Sequence, residues 1–285
     1  MTRYLIAGAN GMLGRDLQRA LAGRDVLALG RDGLDVTDAA AVDAVVADAA
    51  PDVVINASAY TAVDAAETDE DAAYLLNATG AENLARAAAA AGARMVQVST
   101  DYVFHGDAAS PYAEDAPLDP LGAYGRTKAA GERLVRAAHP GAHIVRTAWL
   151  YGKHGGNFAH TMLKLAAQRD TVSVVTDQVG QPTWTGDLAA AIVALLDADA
   201  PAGVYHGTNS GSASWFDFAR AVFETAGLDP ERVLPTDAAS FVRPAPRPSY
   251  SVLGHDAWAA AGLDAPRDWR AALEAAAEDG ALEVA

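Results

Sequence analysis

The sequence predicts an α/β protein, a doubly wound parallel sheet carrying a smaller C-terminal lobe. Short apolar runs rich in β-branched residues alternate with alanine-rich stretches of helical length through the first half. Those runs are apolar throughout, the pattern of strands covered by helices on both faces. A glycine-rich turn, Gly8-Ala-Asn-Gly-Met-Leu-Gly14, joins the first run to the first helical stretch.

In order, strands are expected over residues 4–7, 26–29, 53–57, 95–99 and 144–147. Helices are expected over 13–21, 39–49, 70–91 and 124–138. Gly92 stands where a helix C-cap belongs, and Pro51 and Pro140 follow helix ends. Beyond Tyr151 the pattern loosens: a helix over 158–168, a strand over 172–175, a helix over 188–196 and a strand near 204–207. A helix near 215–226, a proline-rich passage over 243–249 and a last helix from Trp269 complete the chain. Four of the five tryptophans lie after residue 180, marking this part as compositionally distinct. Residues 1–150 are therefore assigned to a dinucleotide-binding domain. Residues 151–285 form mainly a substrate-binding lobe, with segments returning to the sheet.

Composition narrows the function. With 21 basic and 37 acidic residues the net charge is -16, a field that repels phosphodiester backbones and anionic lipid. No nucleic-acid or membrane partner is expected. The apolar fraction is 51%, mostly alanine, and no run approaches the roughly 20 residues that span a bilayer. The chain passes from Met1 into the glycine turn without signal-peptide anatomy, so cytoplasm is the expected compartment. Cysteine is absent, which removes disulfides, thiolate metal sites and cysteine nucleophiles. The seven histidines show no zincin spacing and no G-x-S-x-G elbow occurs, so neither a catalytic metal nor a serine hydrolase is expected.

The glycines of the turn, Gly8, Gly11 and Gly14, let backbone approach a pyrophosphate at the N-terminus of the first helix. The second strand ends Leu29-Gly30-Arg31, where an acid would bind the ribose of NAD. Arginine suits a 2′-phosphate instead, so NADPH is expected over NADH, although Asp32 lies next door. Asp35 is either a turn residue or a hydrogen-bond partner for adenine, and Asp38 or Thr37 caps the second helix.

Tyr124 and Lys128 lie four residues apart at the start of a helix, hence on one face. A phenol titrates near pH 10, and a neighbouring ammonium would stabilise its phenolate. Lys128 is one of only three lysines, so it is not drawn from a lysine-rich surface. Thr100 finishes the preceding strand, at the edge where open α/β sheets bind ligands. Its hydroxyl could bond a substrate carbonyl oxygen and Tyr124.

Together these residues resemble the extended short-chain dehydrogenase/reductase family. The resemblance spans nearly the whole chain. Besides the glycine turn it includes Asn56-Ala-Ser-Ala-Tyr-Thr-Ala-Val-Asp64, Ser99-Thr-Asp-Tyr-Val-Phe104, Tyr124-Gly-Arg-Thr-Lys128, Arg146-Thr-Ala-Trp-Leu-Tyr151, Asn157-Phe158 and Asp177-Gln-Val-Gly-Gln-Pro-Thr183. It implies an NAD(P)-binding Rossmann fold and an NADPH-dependent nucleotide-sugar 4-ketoreductase, with NADH as a second donor. It further implies that Gly11, Met12 and Leu13 contact the pyrophosphate and Asp35 and Val36 the adenine. Ala59, Tyr60 and Thr61 would follow the ribose and nicotinamide, Thr100 and Asp101 would meet the sugar, and Trp149 would pack on the nucleotide-sugar. Tyr124 would be the proton donor and Lys128 its partner. The implied reaction is reduction of the C4 ketone of dTDP-4-dehydro-6-deoxy-L-mannose to dTDP-L-rhamnose. Another dTDP-4-keto-6-deoxysugar is the alternative, and a homodimer is left open. Dehydratases of this family follow the threonine with Asp-Glu, whereas this chain has Asp101-Tyr102. A non-catalytic regulatory subunit on the same fold would tend to lose the tyrosine or lysine, and both are kept.

Overall fold

The computed structural model describes residues 1–283. The chain opens with β1 (Arg3–Ala7), α1 (Met12–Ala20), β2 (Asp25–Leu29), α2 (Ala39–Ala49) and β3 (Val53–Asn56). Two short helices follow, α3 (Val63–Ala66) and α4 (Glu70–Tyr74). A π-helical turn, Leu75–Thr79, leads into α5 (Gly80–Ala90), and β4 (Arg94–Thr100), α6 (Ala123–Ala138) and β5 (His143–Thr147) end the first half. Each strand lies within a residue of its expected position. Asp38 caps α2 by accepting from the backbone N–H of Ala40 and Ala41, and Gly92 takes the left-handed conformation just past α5, φ +70°.

The sheet has six parallel strands in the order Val204–His206, β5, β4, β3, β1, β2. The chain starts in β1, moves outward to β2 and then returns to β3 on the other side. The switch point therefore falls between β1 and β3, where the carboxyl ends of the strands leave a crevice. Alternate side chains of each strand feed opposite cores. Ile6, Ile55, Val96 and Val145 pack with Leu17 of α1 and with Ile192. Leu5, Val54, Met95 and Ile144 pack with Val46 of α2, Leu84 of α5 and Val135 of α6.

The C-terminal half contains α7 (Phe158–Ala166), α8 (Thr185–Asp197), α9 (Trp215–Thr225), α10 (Asp256–Ala260) and α11 (Trp269–Glu278). Two of its segments return to the main sheet. Val204–His206 pairs with β5 as an edge strand, and α8 lies beside α1 in the first core. The others build a third core around Tyr151, Phe218, Phe223, Trp269 and Leu273. Two differences from expectation stand out. The helix over 70–91 is interrupted by the π turn, and α10 was not anticipated. The proline-rich passage crosses back to the strand ends: Tyr250 N donates to Gly106 O at 2.8 Å, and Tyr112 N donates to Val252 O at 2.8 Å.

Candidate active site

A cleft of about 480 Å³ opens at the switch point, lined by Gly8, Gly11, Arg31, Asp35, Val36, Ala59 and Tyr60 among others. Gly8 holds φ +82°, and a Cβ there would sit 2.6 Å from the Ser58 nitrogen. A Cβ on Gly14 would come within 2.3 Å of the Gly8 oxygen, so this glycine serves helix–strand packing. Gly11 differs: its Cβ would meet only the Gly8 oxygen, at 3.3 Å, and its open side faces the cleft. Gly11 is also the N-cap of α1, and the first N–H groups of a helix, here those of Met12 and Leu13, have no intrahelical acceptor. Backbone donors beside a bare glycine fit a pyrophosphate.

The Leu13 side chain is buried in the core, so only its backbone can serve such a ligand. Val36 is likewise mostly core, and its carbonyl accepts from Asn83 Nδ2 at 3.0 Å. Arg31 is exposed at the cleft rim. Asp35 is a turn residue first. Its Oδ1 accepts from Thr37 N and Oγ1, at 3.0 and 2.7 Å, which holds its carboxyl below the usual range. Ala59 and Tyr60 line the cleft, whereas Thr61 is exposed in the loop beyond them.

The chemistry-bearing residues meet at the end of β4. A carboxylate from the α3 end, Glu67 Oε1, accepts from Ala123 N at 2.8 Å and satisfies the N-terminus of α6. Gly125 lets that helix close on the next turn, since a Cβ would lie 2.1 Å from the Tyr102 carbonyl. Tyr124 is thereby set edge-on against Tyr102, ring centroids 5.5 Å apart, on the side of α6 that faces Thr100. Burial pushes that phenol up to about 12, Thr100 opposes the rise and ionised Asp101 adds to it. Lys128 is 4% exposed and donates to the Val98 carbonyl at 2.7 Å; burial lowers its own pKa to about 8, against the pull of Glu132. A phenol held protonated at neutral pH is a competent proton donor.

Asp101 was expected to meet the sugar, yet it is 1% exposed and both its oxygens are engaged. Thr100 Oγ1 donates to Oδ1 at 2.9 Å and Ser251 Oγ to Oδ2 at 2.6 Å. Burial raises its carboxyl to about 6, and those two hydroxyls hold it from rising further. Trp149, expected on the nucleotide-sugar, is half-buried at the edge of the third core. It stacks on Trp215 with centroids 3.5 Å apart and has φ +47°, a left-handed backbone seldom taken by large side chains.

Four contributors were given no role from the sequence. Asn77, in the π turn, accepts from Tyr60 N at 2.8 Å and donates to Thr127 Oγ1 at 3.1 Å, tying the loop after β3 to α6. Inserted π turns of this kind recur at functional sites. Glu132 and Arg146 form a two-pronged ion pair at 2.9 and 2.8 Å behind Lys128, with both residues 3% exposed. Ser99 Oγ also donates to Glu132, at 2.6 Å. The one available signal was Glu132's place four residues after Lys128 on the same helix face. Ser251 carried none.

Among the described residues no three His, Asp or Glu side chains come together to hold a metal ion, and no helix is long and apolar enough to cross a membrane.

The parallel sheet, the glycine turn and the Tyr124–Lys128 helix together define an NAD(P)-binding protein of the short-chain dehydrogenase/reductase type. The comparisons narrow this: the family model described as "RmlD substrate binding domain" matches residues 2–281, and the chain belongs to that family. It is 54% identical over 285 residues to a probable dTDP-4,6-dihydroxy-2-methyloxan-3-one 4-ketoreductase of Streptomyces antibioticus, covering 97% of this chain and 95% of the relative. It is 51% identical over 278 residues to a dTDP-4-dehydrorhamnose reductase of Streptomyces griseus, covering 95% and 91%. Among solved structures it superposes with TM-score 0.95 and 41% identity on the dTDP-4-dehydrorhamnose reductase of Bacillus anthracis in complex with NADP, over 98% and 100% of the two chains.

Proposed function

We propose that the protein is an NADPH-dependent ketoreductase that converts the C4 ketone of dTDP-4-dehydro-6-deoxy-L-mannose to the alcohol, giving dTDP-L-rhamnose. The observation that carries this is the placement of Tyr124, Lys128 and Thr100 together at the end of β4, one strand from the cleft at the switch point. A dTDP-4-dehydrorhamnose reductase at 51% identity, and another bound to NADP at TM-score 0.95, support the substrate and the cofactor.

The chemistry supplied by a bound reduced nicotinamide is hydride donation to the carbonyl carbon. The chain's residues do the rest. The backbone at Gly11, Met12 and Leu13 binds the diphosphate, Arg31 the 2′-phosphate, and Lys128 the ribose hydroxyls beside the ring. As charge develops on the ketone oxygen, the Tyr124 phenol gives that oxygen its proton. Thr100 lies beside the phenol and orients it. Trp149 and Trp215 flank the sugar side from the lobe. An enzyme that uses NADPH and a nucleotide-sugar belongs in the cytoplasm, where both are made, and light scattering tests the homodimer.

The test is NADPH oxidation with a panel of dTDP-4-ketohexuloses, with products identified by NMR. Turnover of dTDP-4-dehydro-6-deoxy-L-mannose to dTDP-L-rhamnose is expected. A second reading, in which another dTDP-4-ketosugar is the substrate, is favoured by the 54% relative, named for a different ketone. Faster reduction of such a sugar would select it, and no reduction of any would overturn both.

A further inference from the structure

Lys128 reaches one protein acceptor among the described residues, and that acceptor is shared. Its Nζ donates to the Val98 carbonyl at 2.7 Å, and Gln97 Nε2 donates to the same oxygen at 2.8 Å. Val98 lies one residue past Asn56–Gln97, the last pair of the β3–β4 ladder. Across that pair Asn56 Nδ2 donates to Gln97 Oε1 at 2.8 Å, and Asn56 Oδ1 accepts from Ser58 N at 3.0 Å. The run begins on a backbone N–H and ends on a backbone carbonyl. Neither carboxamide can be reversed without setting donor against donor or acceptor against acceptor. Asn56, Gln97 and Lys128 are 1%, 2% and 4% exposed, so water does not replace a lost partner. Ser58, at the head of the run, lines the cleft together with Gly8.

We infer that Gln97 is a positioning residue for Lys128: it sets an N–H, not an oxygen, beside the ammonium, so that Lys128 is tied to the Val98 carbonyl alone and keeps two of its three N–H groups for the cofactor. The inference rests on the reading of Lys128 as the group that holds the nicotinamide ribose, and deepens it. Two free donors match the paired hydroxyls of a ribose. An oxygen in the place of Gln97 Nε2 would be a second protein acceptor and would take one of them. Sharing also loosens the hold, because a carbonyl oxygen already serving an amide offers less to the ammonium. The other titratable groups packed around Lys128 are Glu132, one turn on in α6, and Tyr124, one turn back. Glu132 is engaged by Ser99 and Arg146.

The test has two readouts, and neither needs a sugar. Protein labelled with ¹³C at the lysine ε carbon is titrated without cofactor from neutral to about pH 10.5. The chain has three lysines, and the Lys128 signal is assigned by its loss in Lys128→Met. Binding of NADPH is then compared with that of 2′,5′-ADP, which carries the 2′-phosphate but no nicotinamide ribose. Gln97→Glu exchanges the donor for an acceptor at equal length. It should raise Lys128 ionisation by about one pH unit or more and weaken NADPH about tenfold, with 2′,5′-ADP within about twofold of the parent. The new charge alone would also raise Lys128, so the split between the two ligands is the decisive arm. Gln97→Met removes the donor and adds no acceptor. It should move both readings the same way by less, about half a pH unit and about threefold, and it carries the test should Gln97→Glu fail to fold. A residue that only braces the sheet would lower the melting temperature and leave both readings of the folded protein in place. Lys128 ionisation unmoved in both variants overturns the inference. Equal losses for NADPH and 2′,5′-ADP, the mark of a general field or a damaged cleft, overturn it too. Failure of the parent to reduce any dTDP-ketosugar would overturn the proposed function instead and leave these readings as they are.

Discussion

On the cofactor side of the cleft, Gly8 and Gly11 contribute backbone, and Arg31 and Asp35 are exposed. On the catalytic side, Thr100, Asp101, Lys128, Glu132 and Arg146 are each no more than 5% exposed, and each bonds another protein group. The first side can change its ligand preference without disturbing the core. On the second, these groups also fill the space between β4, α6 and the lobe, so a change there is felt in the stability of the fold as well.

The largest expected effect lies on the closed side. Glu132→Ala leaves the Arg146 guanidinium buried without its carboxylate, which should cost about 3–5 kcal/mol of unfolding free energy. Denaturant titration measures it, and a loss below about 1 kcal/mol would show that Arg146 finds water and that this side is less closed than drawn.

Tyr124→Phe should come next. Turnover should fall on the order of a hundredfold or more, with NADPH affinity and melting temperature close to the parent's, since only a donor hydroxyl is removed. Near-normal turnover would take Tyr124 out of the mechanism.

Lys128 gives the comparison its sign in pH. Its folded pKa is depressed from 10.5 to about 8, chiefly by burial. Between those values the unfolded chain holds a proton that the folded chain has released, so stability climbs with pH across that window. The cost of burying the ammonium is fully present below it. Lys128→Met should therefore raise stability at neutral pH by about 1–2 kcal/mol even as it weakens cofactor binding and turnover. The stability gain should vanish as the pH approaches 10.5. Unfolding curves at neutral and alkaline pH check this; a variant less stable than the parent at both would mean that the bond to Val98 outweighs the burial cost.

The smallest effect belongs to the open side. Arg31→Ala should weaken NADPH about tenfold and leave NADH and melting temperature unchanged, because only the former offers a phosphate to the guanidinium. Equal losses for both cofactors would show that Arg31 acts by its field or its packing.

Legibility in the sequence follows the same divide. The five strands of the first half, the glycine turn and the Tyr124–Lys128 face were readable because each depends on residues within one or two turns of each other. The π turn at Leu75–Thr79 left no compositional trace. What stabilises it is the Asn77 side chain bridging Tyr60 and Thr127, 17 and 50 residues away. The lobe's two-residue strands, such as Leu150–Tyr151 and Thr183–Trp184, are too short for any periodicity. Asp101 and Trp149 were picked out, but their settings depend on Ser251 and Trp215, far along the chain. Sequence distance hid the partners rather than the residues.

The edge strand Val204–His206 has a consequence for how the protein is made. Its partner β5 leaves the ribosome some 57 residues earlier, and at about 5–20 residues per second that gap lasts on the order of 3–10 s. During that interval a row of unpaired β5 backbone groups faces solvent beside an already formed sheet, an invitation to edge pairing between nascent chains. A fragment ending near residue 150 would keep that edge open permanently. Truncation at the apparent domain boundary should yield aggregates rather than a free dinucleotide-binding unit, and the second half of the gene acts in this sense as a chaperone for the first.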